Sequence, residues 1–198
     1  MFRLYRYQLY FLIYYMTIIE SVEAMTGVSQ SYWIVSDRGW EFAPSDANTL
    51  LLYETTASSI ISCSLKCHMS TNCRVFNFNI QTEYCRLYEG DADTTGQIVA
   101  SVSPQSTYGF IQLMSQDFAS YGHSCSSCED NRLLRCMDSI CQCQAHTYFD
   151  GSICRSQKLN GSACTNYIQC RNDLNLTCQS NMQCSCEYHL SMILLSDQ

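Results

Sequence analysis

Fifteen cysteines in 198 residues constrain this chain more than any other feature. They fall into two groups, Cys63 to Cys85 and Cys125 to Cys186, separated by 39 residues that contain none. That density in a short chain points to disulfide-stapled units and an oxidising compartment. The N-terminal segment agrees. Met1 to Leu9 carries Arg3 and Arg6 and no acid, and Leu9 to Ile19 is apolar or aromatic except for Thr17. Val22 and Ala24 then occupy the small-residue positions of a cleavage site, so residues 1–24 read as a secretory signal peptide. The apolar run of eleven is too short for a span, which needs about 20 residues. No membrane span is expected once it is cut.

Charge excludes further classes. The whole chain has a formal charge of −7. Loss of Arg3, Arg6, Glu20 and Glu23 with the leader leaves that value unchanged. An acidic, lysine-poor surface argues against nucleic acid and polyanions as partners. Two sequons, Asn160-Gly161-Ser162 and Asn175-Leu176-Thr177, mark Asn160 and Asn175 as glycosylation candidates.

The first half has enough apolar residues for a core. Strand-like runs recur at 50–53, 74–80, 84–88, 97–100 and 108–111. The second alternates, with Phe76, Phe78 and Ile80 on one face and Val75, Asn77 and Asn79 on the other. Between the first two runs, residues 55–67 read as one short helix with Ser/Thr caps. Ile61 and Leu65, like Cys63 and Cys67, recur at i, i+4, so the helix is expected to lay a face on the sheet. Cys63 and Cys67 project side by side and are poor partners for each other. Bridges from them to Cys73 and Cys85 in the following strands would pin helix to sheet, each worth about 2–4 kcal/mol.

The pattern Cys63-x3-Cys67-x5-Cys73-x2-Phe76-x-Phe78-Asn79-x5-Cys85-x-Leu87 resembles the PAN/apple domain. The resemblance covers roughly residues 31–113. It implies an α+β fold, an antiparallel sheet cradling one helix, with nested bridges Cys63–Cys85 and Cys67–Cys73. A third bridge joins the termini of true apple domains. No cysteine lies in 25–62 or 86–124, which makes this the plainer PAN form. The resemblance also implies binding of extracellular proteins or carbohydrates and no catalysis.

The second half repeats itself. Cys128-x7-Cys136-x4-Cys141-x-Cys143 aligns with Cys170-x7-Cys178-x5-Cys184-x-Cys186, and Leu134 matches Leu176. Two modules of one kind follow, over 125–154 and 155–198, with 116–124 as linker after a first domain over 25–115. Few large aliphatics lie here, so bridges must hold these modules together and little regular structure is expected. The first module has six cysteines and the second five, which leaves it incomplete and one thiol unpaired. An odd thiol opens the way to a covalent dimer. Six cysteines allow fifteen pairings. Cys141-x-Cys143 followed by Tyr148, Asp150-Gly151 and Cys154 resembles epidermal-growth-factor-like and EB-type modules, although His146 replaces their usual Gly or Pro. That resemblance implies pairs Cys125–Cys136, Cys128–Cys141 and Cys143–Cys154.

Zinc competes for Cys125-x2-Cys128 and Cys141-x-Cys143, but thiolates behind a signal peptide would oxidise. The four histidines share no ligand spacing, Gly-x-Ser-x-Gly is absent and no phosphate-cradling loop exists. No metal, cofactor or catalytic residue is expected. Trp33, Trp40, Tyr53, Tyr84 and Tyr88 are aromatics that either fill the core or stack on a sugar, and Trp40 in a polar loop is the best candidate for ligand contact. The function read here is recognition of an extracellular protein or glycan. Two rivals are a protease inhibitor presenting Arg155 or Lys158 on a stapled loop, and a structural matrix component.

Overall fold

The computed structural model describes residues 32–186. The expected leader over 1–24 and the tail from 187 onward lie outside the described residues. The strands are β1 (Tyr32–Val35), β2 (Trp40–Pro44), β3 (Leu51–Thr56), β4 (Cys73–Asn79), β5 (Tyr84–Glu89), β6 (Gly96–Ala100) and β7 (Ser106–Gln112), with helices α1 (Ala47–Leu50) and α2 (Ile60–Met69). Further on come the short strands β8 (Leu134–Met137), β9 (Ile140–Cys143), β10 (Thr147–Phe149), β11 (Cys154–Ser156), β12 (Leu176–Cys178) and β13 (Cys184–Cys186). This is the α+β, disulfide-rich, antiparallel architecture expected from the sequence.

The main sheet has the order β1-β7-β4-β5-β3, all neighbours antiparallel. Strand β4 is central and buried on both faces, since Val75, Phe76 and Phe78 are all almost inaccessible. Phe76 and Phe78 meet α2, and Val75 packs with Phe42 and Tyr88 under the β2–β6 ribbon. Alternation in the sequence gave β4 one apolar side. The ribbon supplies a second cover that alternation could not reveal.

Helix α2 begins at Ser59, whose hydroxyl accepts from the Ser62 amide. Its buried side carries Cys63 and Cys67, bonded to Cys85 and Cys73 respectively. Ile61 and Leu65, expected on the sheet, instead face solvent with Met69, at 74%, 56% and 77% exposure. Both pairs share the same i, i+4 period, and the two disulfides select which one turns inward.

Beyond β7 the chain remains packed. Residues 116–124, expected as a linker, bury Phe118 in a cluster with Ile111, Cys128, Leu133 and Leu134. Trp33 packs against this cluster and against the one under α2, at 5.5 Å from the Phe76 ring. In the following segment Cys125 is bonded to Cys136, Cys128 to Cys141 and Cys143 to Cys154. Further on, Cys164 is bonded to Cys178 and Cys170 to Cys184. Cys186 is free and exposed.

Candidate functional site

A cleft of about 610 Å³ opens where β6, β7 and the loop after β5 face Ile153 and Arg155. Its wall is made by Ile98, Tyr108, Phe110 and Leu113, with Asp93, Gln97, Gln112 and Arg155 among the polar residues. Tyr108 and Phe110 share a face of β7 because they are two residues apart. Their rings lie nearly parallel, 14° apart, with centroids at 6.1 Å. Both are half-buried, so ring surface is available to a ligand.

The deeper charges of the cleft are paired. Arg74 Nη1 donates to Asp91 Oδ1 at 2.6 Å and to the Cys154 carbonyl at 2.8 Å. Asp91 Oδ2 accepts from the Ser156 amide at 2.6 Å. At the rim, Arg155 donates from Nε to Asp150 at 2.7 Å, and its Nη1 lies 3.5 Å from Asp93. The Asp150 hydrogen bond raises the Arg155 pKa against the opposing effect of burial, so this cation persists. Among the described residues the lining carries no serine, cysteine or histidine. Stacked rings with a charged rim suit binding.

Contacts between the sheet and the cysteine-rich segments continue around the cleft. Arg132 Nη2 donates to the carbonyls of Cys67, Ser70 and Cys73 at the C-terminal end of α2. Burial, followed by the nearby Arg74, lowers its pKa to about 10, which leaves it charged at neutral pH. His146 Nδ1 lies 2.5 Å from Glu89 Oε1. The loop Glu89-Gly90-Asp91-Ala92-Asp93 therefore meets the second half of the chain at three acids in alternation.

Residues 47–110 match the PAN domain family. No curated protein and no solved structure matches the chain. PAN domains are generally non-catalytic modules, often engaged in protein or carbohydrate binding. Here the PAN match runs from α1 to the middle of β7 and contains Tyr108 and Phe110. The cleft thus has one wall from the PAN domain and the other from the segment that follows it.

The aromatics singled out in the sequence separate into classes. Tyr88 is buried edge-on against Phe42 at 5.4 Å, and Trp33 is half-buried, packed against the core. Arg86 covers the Tyr84 ring at 4.9 Å, and the Tyr84 hydroxyl donates to Glu54. Tyr53 and Trp40 are exposed at 43% and 46%. Trp40 is not in a loop. It opens β2 and pairs with Ala100, because the turn at Gly39 (φ 88°) returns the chain into a ribbon. It does not line the cleft. Sequence reasoning passed over Tyr108 and Phe110 as strand residues, and only their i, i+2 spacing hinted at a shared face.

The remaining candidates are placed as follows. Asn160 and Asn175 are both exposed. Arg155 lies in β11 held by Asp150, and Lys158 Nζ donates to the Ala163 carbonyl at 2.6 Å, so neither stands free at a loop tip. The sulfurs of Cys164, Cys170 and Cys184 lie within 4.8 Å of one another, a ligand-like grouping, but each is in a disulfide. No helix among the described residues is long and apolar enough to cross a membrane.

Proposed function

We propose that this is a secreted, non-enzymatic binding protein that recognises an extracellular protein or glycan through its PAN domain. In this reading residues 1–24 are a signal peptide, and two cysteine-rich modules of epidermal-growth-factor-like kind occupy 125–154 and 155–198. Asn160 and Asn175 carry N-glycans. The observation that carries the reading is the open pair of stacked rings, Tyr108 and Phe110, on the PAN wall of the cleft.

The test is a screen of the purified secreted chain against arrays of extracellular proteins and of glycans, repeated with Tyr108→Ala. A ligand lost by the variant at unchanged melting temperature supports the cleft. Ligands held equally well by both would move recognition elsewhere on the domain. Covalent assembly is a second reading, favoured by the exposed, unpaired Cys186. A disulfide-linked dimer through this residue would present two copies of the cleft.

A further inference from the structure

A second cleft, of about 330 Å³, lies outside the PAN match, between the two cysteine-rich segments. Its lining is dominated by uncharged amides and aromatic rings. Tyr121 and Phe149 stack at 4.0 Å with 12° between planes. Tyr167 stands at the mouth, 72% exposed.

Two glutamines in this lining are fixed in orientation. Gln157, at only 9% exposure, donates from Nε2 to the Ile168 carbonyl at 3.0 Å. Gln144 Nε2 donates to the carbonyls of Arg132 and Leu134 at 3.1 and 2.9 Å. Among the described hydrogen bonds none reaches the Oε1 of either residue. With each Nε2 committed to main chain, two acceptors are held ready and lack a protein donor. Leaving such acceptors desolvated under an apolar ligand would be costly. A ligand rich in hydroxyl donors satisfies them.

Of the basic side chains in the lining, His146 is paired with acids and Arg135 is exposed, its Nε committed to main chain. His146 sits between Glu89, 2.5 Å from Nδ1, and Asp173, 3.5 Å from Nε2. Arg135 Nε donates to the Cys143 carbonyl. Among the described residues no carboxylate lines the cleft to pair with a cation, and the two fixed acceptor oxygens repel an anion, so the ligand is uncharged. The volume is at the low end of the roughly 300–1,000 Å³ range of small-molecule sites, which suits one or two sugar rings.

We propose that this cleft binds a neutral saccharide. Its hydroxyls donate to Gln144 and Gln157 Oε1, the exposed Asn172 amide adds donor and acceptor, and Tyr167 supplies a ring face. This site is separate from the Tyr108–Phe110 cleft and stands or falls independently of it.

The experiment uses the full secreted chain, enzymatically deglycosylated so that attached glycans cannot fill the cleft. Saturation-transfer NMR is recorded with glucose, galactose, mannose, N-acetylglucosamine and glucuronate separately. At least one neutral sugar is expected to bind, about tenfold more weakly in Tyr167→Ala, and more weakly in Asn172→Ala, with unchanged melting temperature. Three results would overturn the proposal. One is no transfer to any neutral sugar. Another is stronger binding of glucuronate than of the neutral set. The third is a signal lost in Tyr108→Ala but retained in Tyr167→Ala, which assigns the sugar to the other cleft.

Discussion

Arg74 and Asp91 form a buried ion pair, 2.6 Å between Nη1 and Oδ1, with side-chain exposures of 4% and 8%. The pair joins the central PAN strand to β11, because Arg74 also holds the Cys154 carbonyl and Asp91 holds the Ser156 amide. It thereby sets the position of Arg155 and Ile153 on the far wall of the cleft. Its cost in desolvation is met by these extra hydrogen bonds, although Arg74 Nη2 has no hydrogen-bond partner among the described residues.

Removing one partner leaves the other charge buried. Asp91→Ala is expected to destabilise the protein by about 3–5 kcal/mol in urea denaturation. The double variant Arg74→Met, Asp91→Leu should recover part of that loss. A loss under 1 kcal/mol for Asp91→Ala would mean that Arg74 reaches solvent when unpaired.

Gly109 is required by packing. A Cβ there would sit 2.4 Å from the Phe76 ring, which lies over the glycine between Trp33 and the sheet. Gly109→Ala forces Phe76 out of its place and should cost about 1–3 kcal/mol. Thermal melting would register it, and loss of near-ultraviolet dichroism from the Trp33–Phe76 environment should accompany it.

Asp150 ties pH to the stability of the β10–β11 turn. Burial acts to raise its pKa but is outweighed by hydrogen bonds from the Ile153 and Ser152 amides, the Ser152 hydroxyl and Arg155. The net shift is downward, well below the usual carboxylate range. A folded-state pKa depressed in this way contributes stability that is complete above the unfolded value, about 3.9. That contribution fades as pH falls below it towards the folded pKa. Denaturation midpoints between pH 5 and 2 should therefore fall more steeply for the native chain than for Asp150→Asn. Parallel profiles would refute the assignment.

Cys186 is free and exposed at the end of β13. Oxidised protein is expected to run partly as a dimer on non-reducing gels and as a monomer after reduction. Cys186→Ser should abolish the dimer without altering the melting temperature. A dimer that persists in this variant would have to come from reshuffled internal bridges.

Much of the PAN domain was legible in the sequence, and the exceptions have physical reasons. The strands around Phe76, Tyr84, Ile98 and Phe110 showed themselves through alternation or apolar runs. Strand β1 did not, because Tyr32, Ile34 and Val35 are exposed at a sheet edge and Trp33 alone packs inward, which leaves no alternation to read. On α2 the sequence offered two equally spaced pairs, and periodicity cannot choose between them. The candidate cleft was less legible still. Trp40 drew attention by residue type, whereas the open rings belong to Tyr108 and Phe110, whose exposure depends on a wall contributed more than 40 residues later.

By itself, the chain's pattern of cysteines, alternating aromatics and turn residues determined an α+β, disulfide-rich fold with a PAN domain. Those signals are local, since strand period, helix period and capping act over a few residues. Tertiary structure alone decided which helix face turned inward, how the acids of the 89–93 loop met partners from distant segments, and where both clefts opened. Each of these depends on contacts between residues far apart in sequence. Arg74 finds Cys154, and Glu89 finds His146, only after the strands between them have paired.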